Sequence, residues 1–239
     1  MEISALSILG LGFALGLKHA LEADHVVAVS TIVSERRSLI GSSLVGALWG
    51  AGHTAALLAA GAVVLLLRLQ IPERLALGFE FCVGIMLVVL GGNLLWKLRR
   101  GGHLHLHAHA HAGRIHVHPH IHRPDEVDDA RSHHGWVLQG RPFVVGLVHG
   151  MAGSATLMLL VLSSIPSPWL GVLYILVFGV GSIGGMLAMS AAISLPLVFT
   201  AQRFHRMNLA LRLSAGLAGI VLGLSLMWEI GFHEGLLRL

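Results

Sequence analysis

Lys18-His19-Ala20-Leu21-Glu22-Ala23-Asp24-His25 sets five ionisable side chains into the middle of an otherwise apolar stretch, residues 3–33. A charged group at mid-bilayer costs at least ~2.5–3.5 kcal/mol, so such a run inside a membrane span marks function. A single helix over residues 3–33 would be about 46 Å long, against a hydrocarbon core of about 30 Å. The polar run therefore predicts a tilted or interrupted helix. The stretch is not read as a signal peptide, because it starts acidic (Glu2) and no small-residue cleavage site follows the apolar run.

Five further stretches are long and apolar enough to cross a bilayer: 42–67, 75–95, 143–165, 169–199 and 209–230. The expected fold is an all-α integral membrane protein with six transmembrane helices. Residues 1–96 would form one half of three spans and residues 142–239 the other, joined by a polar insert over 97–141. Composition agrees: of 239 residues 55% are hydrophobic and 12% charged, and the mean hydropathy is +0.78. A soluble domain carries about 25% charged residues, and a disordered chain needs low hydrophobicity. Both classes are excluded. The single cysteine, Cys82, excludes an intramolecular disulfide. Sixteen basic residues against 12 acidic ones are too small an excess to signal nucleic-acid binding.

The basic residues are unevenly placed. Arg36, Arg37, Lys97, Arg99, Arg100, Arg114, Arg123, Arg131, Arg141, Arg203, Arg206 and Arg212 fall on one side of the expected topology, and Arg68, Arg74 and Arg238 on the other. The positive-inside rule then places the insert in the cytoplasm and both termini outside a cell inner membrane. The halves also match in sequence. Gly16-Leu17-Lys18-His19 parallels Gly146-Leu147-Val148-His149, and Trp49-Gly50-Ala51-Gly52-His53 parallels Phe178-Gly179-Val180-Gly181-Ser182. Gly91 and Trp96 share their spacing with Gly223 and Trp228. Three spans per half would invert the second half relative to the first, a 3+3 inverted repeat of the kind found in secondary transporters.

The polar residues expected within spans are Lys18, His19, Glu22, Asp24, His25, His53, Glu80, Asn93, His149 and Glu229. On an ideal helix Glu22 lies about 60° from both His19 and His25, while Asp24 points about 140° away from His19. Asp24 then either supports a ligand from behind, or the helix unwinds and the two carboxylates exchange roles. Imidazole nitrogen with one or two carboxylates suits a borderline first-row cation such as nickel, cobalt, zinc or iron. The eight methionines are scattered and read as packing. His53 and His149 sit among glycines, which let helices approach closely enough for a side chain to reach across. The candidate metal-site residues are His19, Glu22, Asp24, His25, His53 and His149.

These residues carry a resemblance. The run from His19 to Val26 resembles the histidine-x4-aspartate-histidine signature of the nickel/cobalt transporter (NiCoT/NicO) family, and Gly50-Ala51-Gly52-His53-Thr54 resembles that family's second motif. His149-Gly150-Met151-Ala152-Gly153-Ser154-Ala155-Thr156 is similar to a motif of its UreH-like branch. Departures are Lys18 for the usual arginine, Glu22 for an aspartate, and six spans where the best-known members have eight. The resemblance implies nickel or cobalt uptake, with His19, Asp24 and His25 essential and His53 contributing.

Residues 97–141 hold a histidine tract. His103, His105, His107, His109 and His111 alternate with single residues, as do His116, His118, His120 and His122. On composition this reads as a disordered, weakly selective metal-binding segment. Its acidic tail, Asp125-Glu126-Val127-Asp128-Asp129, reads as solvated charge.

An exporter of nickel, cobalt or zinc is the main alternative, since a cytoplasmic tract could pass excess metal outward. An intramembrane hydrolase is a remote one: Ser154 lies in the fourth span, but Gly153-Ser154-Ala155 lacks a glycine after the nucleophile and residues 209–230 contain no histidine. No His-Glu-x-x-His motif is present. The chain is thus expected not to be an enzyme and to need no catalytic cofactor. Its expected partners are a divalent metal ion as cargo and the lipid bilayer, with no nucleic acid and with room for a homo-oligomer.

Overall fold

A computed structural model describes residues 5–36, 38–67, 72–100, 105–111, 114–120, 137–152 and 167–237 of the chain. Among these lie helices α1 (Ala5–His19), α2 (Ala23–Val33), α3 (Leu39–Leu67) and α4 (Glu73–Arg99). Strands β1 (His105–His111) and β2 (Arg114–His120) follow, then α5 (Val137–Gly150), α6 (Pro168–Arg203) and α7 (His205–Trp228), and a π-helical turn over Glu229–His233.

The long first stretch is interrupted, as its length requires. The end of α1 tightens, with Leu21 N–H donating to the Lys18 carbonyl at 2.9 Å and Glu22 N–H to that of His19 at 3.1 Å. Glu22 then takes an extended conformation (φ −63°, ψ 148°) that throws the chain out of the helix. The chain re-enters at Ala23, and α2 leaves at 54° to α1. Asp24 in the first turn of α2 places negative charge where the helix dipole favours it.

Among the described residues four helices, α3, α4, α6 and α7, are long and apolar enough to cross a membrane, and α1 with α2 forms a fifth such unit if the bent pair is one span. Of the fourth expected span, 143–165, α5 supplies the part up to Gly150, and residues 153–166 lie outside the described residues. Helix ends overrun the apolar limits: α5 starts at Val137 and carries Pro142 within it, and α6 runs 36 residues with Pro196 inside. Hydropathy marks where lipid begins, not where backbone hydrogen bonding stops. The all-α expectation also needs an amendment. The histidine insert, expected to be disordered, carries an antiparallel hairpin whose register pairs His105 with His120, His107 with His118 and His109 with His116.

The helices are held by glycines at carbonyls. A Cβ on Gly16 of α1 would collide with the Phe178 carbonyl of α6, and one on Gly52 of α3 with the Phe143 carbonyl of α5. Such contacts bring backbones together where lipid provides no hydrophobic drive between helices. The positions in contact show α1 running parallel to α6 and α3 antiparallel to it, as Gly46, Gly50 and Gly179 meet Met186, Ile183 and Thr54. A second pair, α4 and α7, is joined through Gly84, Gly91, Gly216 and Gly223. The core between them holds Val29 and Val33 of α2, Trp49 of α3, Leu87 of α4 and Met186 of α6. Outward faces stay apolar, with Val89, Phe199 and Val221 exposed. At one end Lys97 Nζ grips both oxygens of Glu35 at 2.7 and 2.9 Å, tying α4 to the turn after α2.

Candidate metal centre

Two helices end inside the bundle, each with a histidine in its last two residues. His19 closes α1, while His149 is the penultimate residue of α5. Beyond His149 the chain repeats the tightening seen after His19: Met151 N–H donates to the Val148 carbonyl at 3.3 Å and Ala152 N–H to that of His149 at 3.1 Å. The break in the first span delivers Asp24 and His25 to the same level, and α3 contributes His53 from its middle. His25 and His53 are 0% exposed, His149 3% and His19 5%.

The side chains form one connected chain of contacts. His19 Nδ1 lies 2.9 Å from Glu22 Oε2, and His19 Nε2 lies 3.0 Å from His53 Nε2. His25 Nδ1 lies 2.9 Å from Asp24 Oδ1, whose other oxygen, Oδ2, is 3.0 Å from His149 Nε2. The His25 backbone N–H also donates to Asp24 Oδ1, at 2.8 Å. His25 is the hub: its ring centroid is 4.4 Å from that of His19, 4.1 Å from His149 and 5.3 Å from His53.

Carboxylate acceptors fix the tautomers. An ionised carboxylate only accepts, so the imidazole nitrogen facing it carries the proton and the opposite nitrogen of the neutral ring carries a lone pair. By this rule His19 presents a lone pair at Nε2, His25 at Nε2 and His149 at Nδ1. His25 Nε2, His53 Nδ1 and His149 Nδ1 are buried with no hydrogen-bond partner. Unpartnered buried nitrogen lone pairs are costly in a protein interior and are what a transition metal binds. A carboxylate behind a ligating imidazole is the usual means of orienting it.

Among the described residues two ligand groups emerge, His19–His25–His53 and Asp24–His25–His149, each with ligand atoms within 4.8 Å of one another. Metal–nitrogen bonds of ~2.1 Å at tetrahedral angles need nitrogens about 3.4 Å apart, a small adjustment from this spacing. The first group is fully buried. In the second, the Asp24 side chain is 28% exposed, and Glu22, at 44%, lies on the outer side of His19.

All six candidate residues are therefore brought together, but not as an ideal helix would place them. Asp24, not Glu22, is drawn between histidines. Lys18 is turned outward, and Glu80 and Glu229 lie on the α4 side, away from the cluster. Three neighbours were not anticipated. Trp49 stacks obliquely 5.6 Å from His149 with its indole Nε1 buried and unpartnered. The Phe178 ring lies 5.6 Å from His19, and Ser182 is fully buried on the same helix. Their positions in the two matching motifs, beside His53 and opposite it in the repeat, were the available signal.

Among known proteins, the chain is 38% identical to the urease accessory protein UreH of Bacillus sp. (strain TB-90) over 242 residues, covering 100% of this chain and 98% of that one. It is 27% identical over 218 residues to the Chloroplast protein FOR GROWTH AND FERTILITY 2 of Arabidopsis thaliana. With the Chloroplast protein FOR GROWTH AND FERTILITY 1 of the same plant the identity is 26%. The chain spans 54% and 57% of those two plant proteins. No family model matches the chain, and no solved structure does.

Proposed function

The chain belongs to the UreH-like branch of the nickel/cobalt transporter family, and from that premise we propose that it carries nickel or cobalt ions across a cell membrane, inward, through the histidine centre. The observation that carries this reading is the buried group His19, His25 and His53, with ligand atoms within 4.8 Å. Its two outer imidazole nitrogens are held by Glu22 and Asp24. Three nitrogen donors without a thiolate suit nickel, cobalt or zinc better than calcium, magnesium or copper(I). In this reading His19, His25 and His53 bind the ion, Glu22 orients His19, and Asp24 orients His25 and His149. No catalytic step is required.

The architecture that goes with it is six spans arranged as a 3+3 inverted repeat. Its support is reciprocity in the packing. Gly16 against the Phe178 carbonyl is matched by Gly146 against that of Trp49, and Gly52 against Phe143 by Gly181 against Phe13. Gly84 against the Gly223 carbonyl is matched in the same way by Gly216 against Gly91. Each contact becomes its counterpart when the halves are exchanged. Helices that stop at mid-membrane with ligands at their ends, as α1 and α5 do at His19 and His149, are the usual construction of a transport site.

The orientation proposed keeps the 97–141 insert in the cytoplasm and the termini outside, following the excess of Arg and Lys at the Arg36, Lys97 and Arg203 end. Cysteine labelling at position 120 checks it, and labelling from outside the cell refutes it. Radiometal accumulation in cells with and without the protein tests the function. Net accumulation of nickel or cobalt, lost in His25→Ala, is the result expected; depletion of cell metal would establish export, and no change would refute transport.

A further inference from the structure

Two groups stand out among the buried and half-buried hydroxyls of these helices, apart from Thr54, which donates across to the Gly179 carbonyl at 3.5 Å. Ser30, Thr31 and Ser34 of α2 and Thr200 of α6 each donate back to a carbonyl of their own helix, at 2.7 Å. That is how serine and threonine satisfy themselves where water is absent. Ser42 of α3 and Ser182, Ser190 and Ser194 of α6 do not. All four are 0% exposed, and the Oγ of each has no hydrogen-bond partner. Buried hydroxyls left without a partner call for an explanation.

Their placement is ordered. Ser182, Ser190 and Ser194 occupy one sector of α6 about 120° wide, and the axial distance from first to last is about 18 Å. Ser182 starts the row at the level of the centre, between the Gly179–Thr54 and Gly50–Ile183 contacts that flank His53. In the matching motifs it holds the place of His53. Ser194 ends the row toward the face that carries Arg36 and Arg203. Ser42 lies one turn from Gly46 on α3, and a Cβ at Gly46 would collide with the Ser190 hydroxyl and the Met186 carbonyl. Ser190 thus lies in the seam between α3 and α6, which is shut at Gly46, and Ser182 and Ser194 flank it on the same sector of α6.

We propose that the α3–α6 seam from Ser182 to Ser194 is the route of the metal ion between the histidine centre and the Arg36–Arg203 face, with Ser42, Ser182, Ser190 and Ser194 replacing part of its water as the seam parts. This rests on the transport reading above. Neutral hydroxyl oxygens suit a passage because they hold a divalent ion less tightly than imidazole, and a conducting path needs ligands that both accept and release. Closure at Gly46 lets the centre face one side at a time.

The experiment is cysteine accessibility in the full chain, with Cys82→Ser removing the one native thiol. Cysteines replacing Ser42, Ser190 or Ser194 are exposed in membranes to a water-soluble thiol reagent beside Leu187→Cys and Leu195→Cys, two outward positions of α6. Modification of the serine-row cysteines while the outward pair stays unmodified, slowed by added nickel, is expected. Serine-row cysteines as inert as the outward pair would overturn the route. Because cysteine can perturb the seam, Ser190→Ala and Ser194→Ala supply a second readout: a severalfold loss of maximal transport rate with unchanged nickel affinity at the centre. An unchanged rate in both would overturn it. Reactive serine-row cysteines in a chain whose wild type moves no metal would overturn the cargo and leave the wetted seam standing.

Discussion

Replacing Asp24 by asparagine tests the division of labour at the centre. The carboxylate accepts from His25 Nδ1–H at 2.9 Å through one oxygen and from His149 Nε2–H at 3.0 Å through the other. Asparagine keeps the shape but turns one of these acceptors into a donor. One histidine must then turn its lone pair to the amide and move its proton to the opposite nitrogen. If that histidine is His25, the Nε2 lone pair that the proposed metal site uses is lost until the ring reorients. The loss of an orienting partner is typically 10- to 100-fold in metal affinity, or about 1.4–2.8 kcal/mol. Removal of a direct ligand in His25→Ala should cost more than that. Nickel binding to purified protein, measured by titration calorimetry for both variants, separates the two. Wild-type affinity in Asp24→Asn would refute the orienting role, and a loss equal to that of His25→Ala would make Asp24 a direct ligand.

Gly16→Ala forces a methyl against the Phe178 carbonyl and should destabilise the protein by about 1–3 kcal/mol, whereas Gly78→Ala, with nothing within 4 Å, should stay within about ±0.5 kcal/mol; unfolding in detergent, read by circular dichroism, compares them. Metal affinity should fall as pH is lowered, because a protonated imidazole has no lone pair to give, and binding isotherms at stepped pH give the sign. Deleting residues 103–122 should preserve transport and metal preference while removing most of the metal bound per chain, as elemental analysis would report. Complete loss of transport in that deletion would make the hairpin an obligatory relay.

Much of the fold was legible because lipid imposes a coarse rule: an apolar run of sufficient length crosses, and a run too long for one crossing breaks. The polar run at 18–25 announced where. What the helical wheel could not give was which carboxylate faces the histidines, because a single extended residue, Glu22 with ψ of 148°, resets the angular count. His149 reaches Asp24 across 125 positions of sequence, and only its likeness to the His19 motif hinted at the meeting. The hairpin was legible in principle. His-x-His alternation is a strand period, but charge and low apolar content argued for disorder, and the register that pairs the two runs has no local signal.

The glycine-to-carbonyl contacts bear on how the chain is made. Gly16 and Gly52 find their carbonyls on α6 and α5, and His149 supplies the second imidazole on Asp24, all from sequence synthesised later. A nascent chain that has delivered only α1 to α4 into the bilayer therefore has α1 without its α6 partner, with the carboxylate of Asp24 half-served. It must wait in that loose state through the whole 97–141 insert before α5 and α6 arrive to close it. Membrane insertion of the early helices would then precede their final packing, and the interval between them is when a quality-control protease would find its substrate.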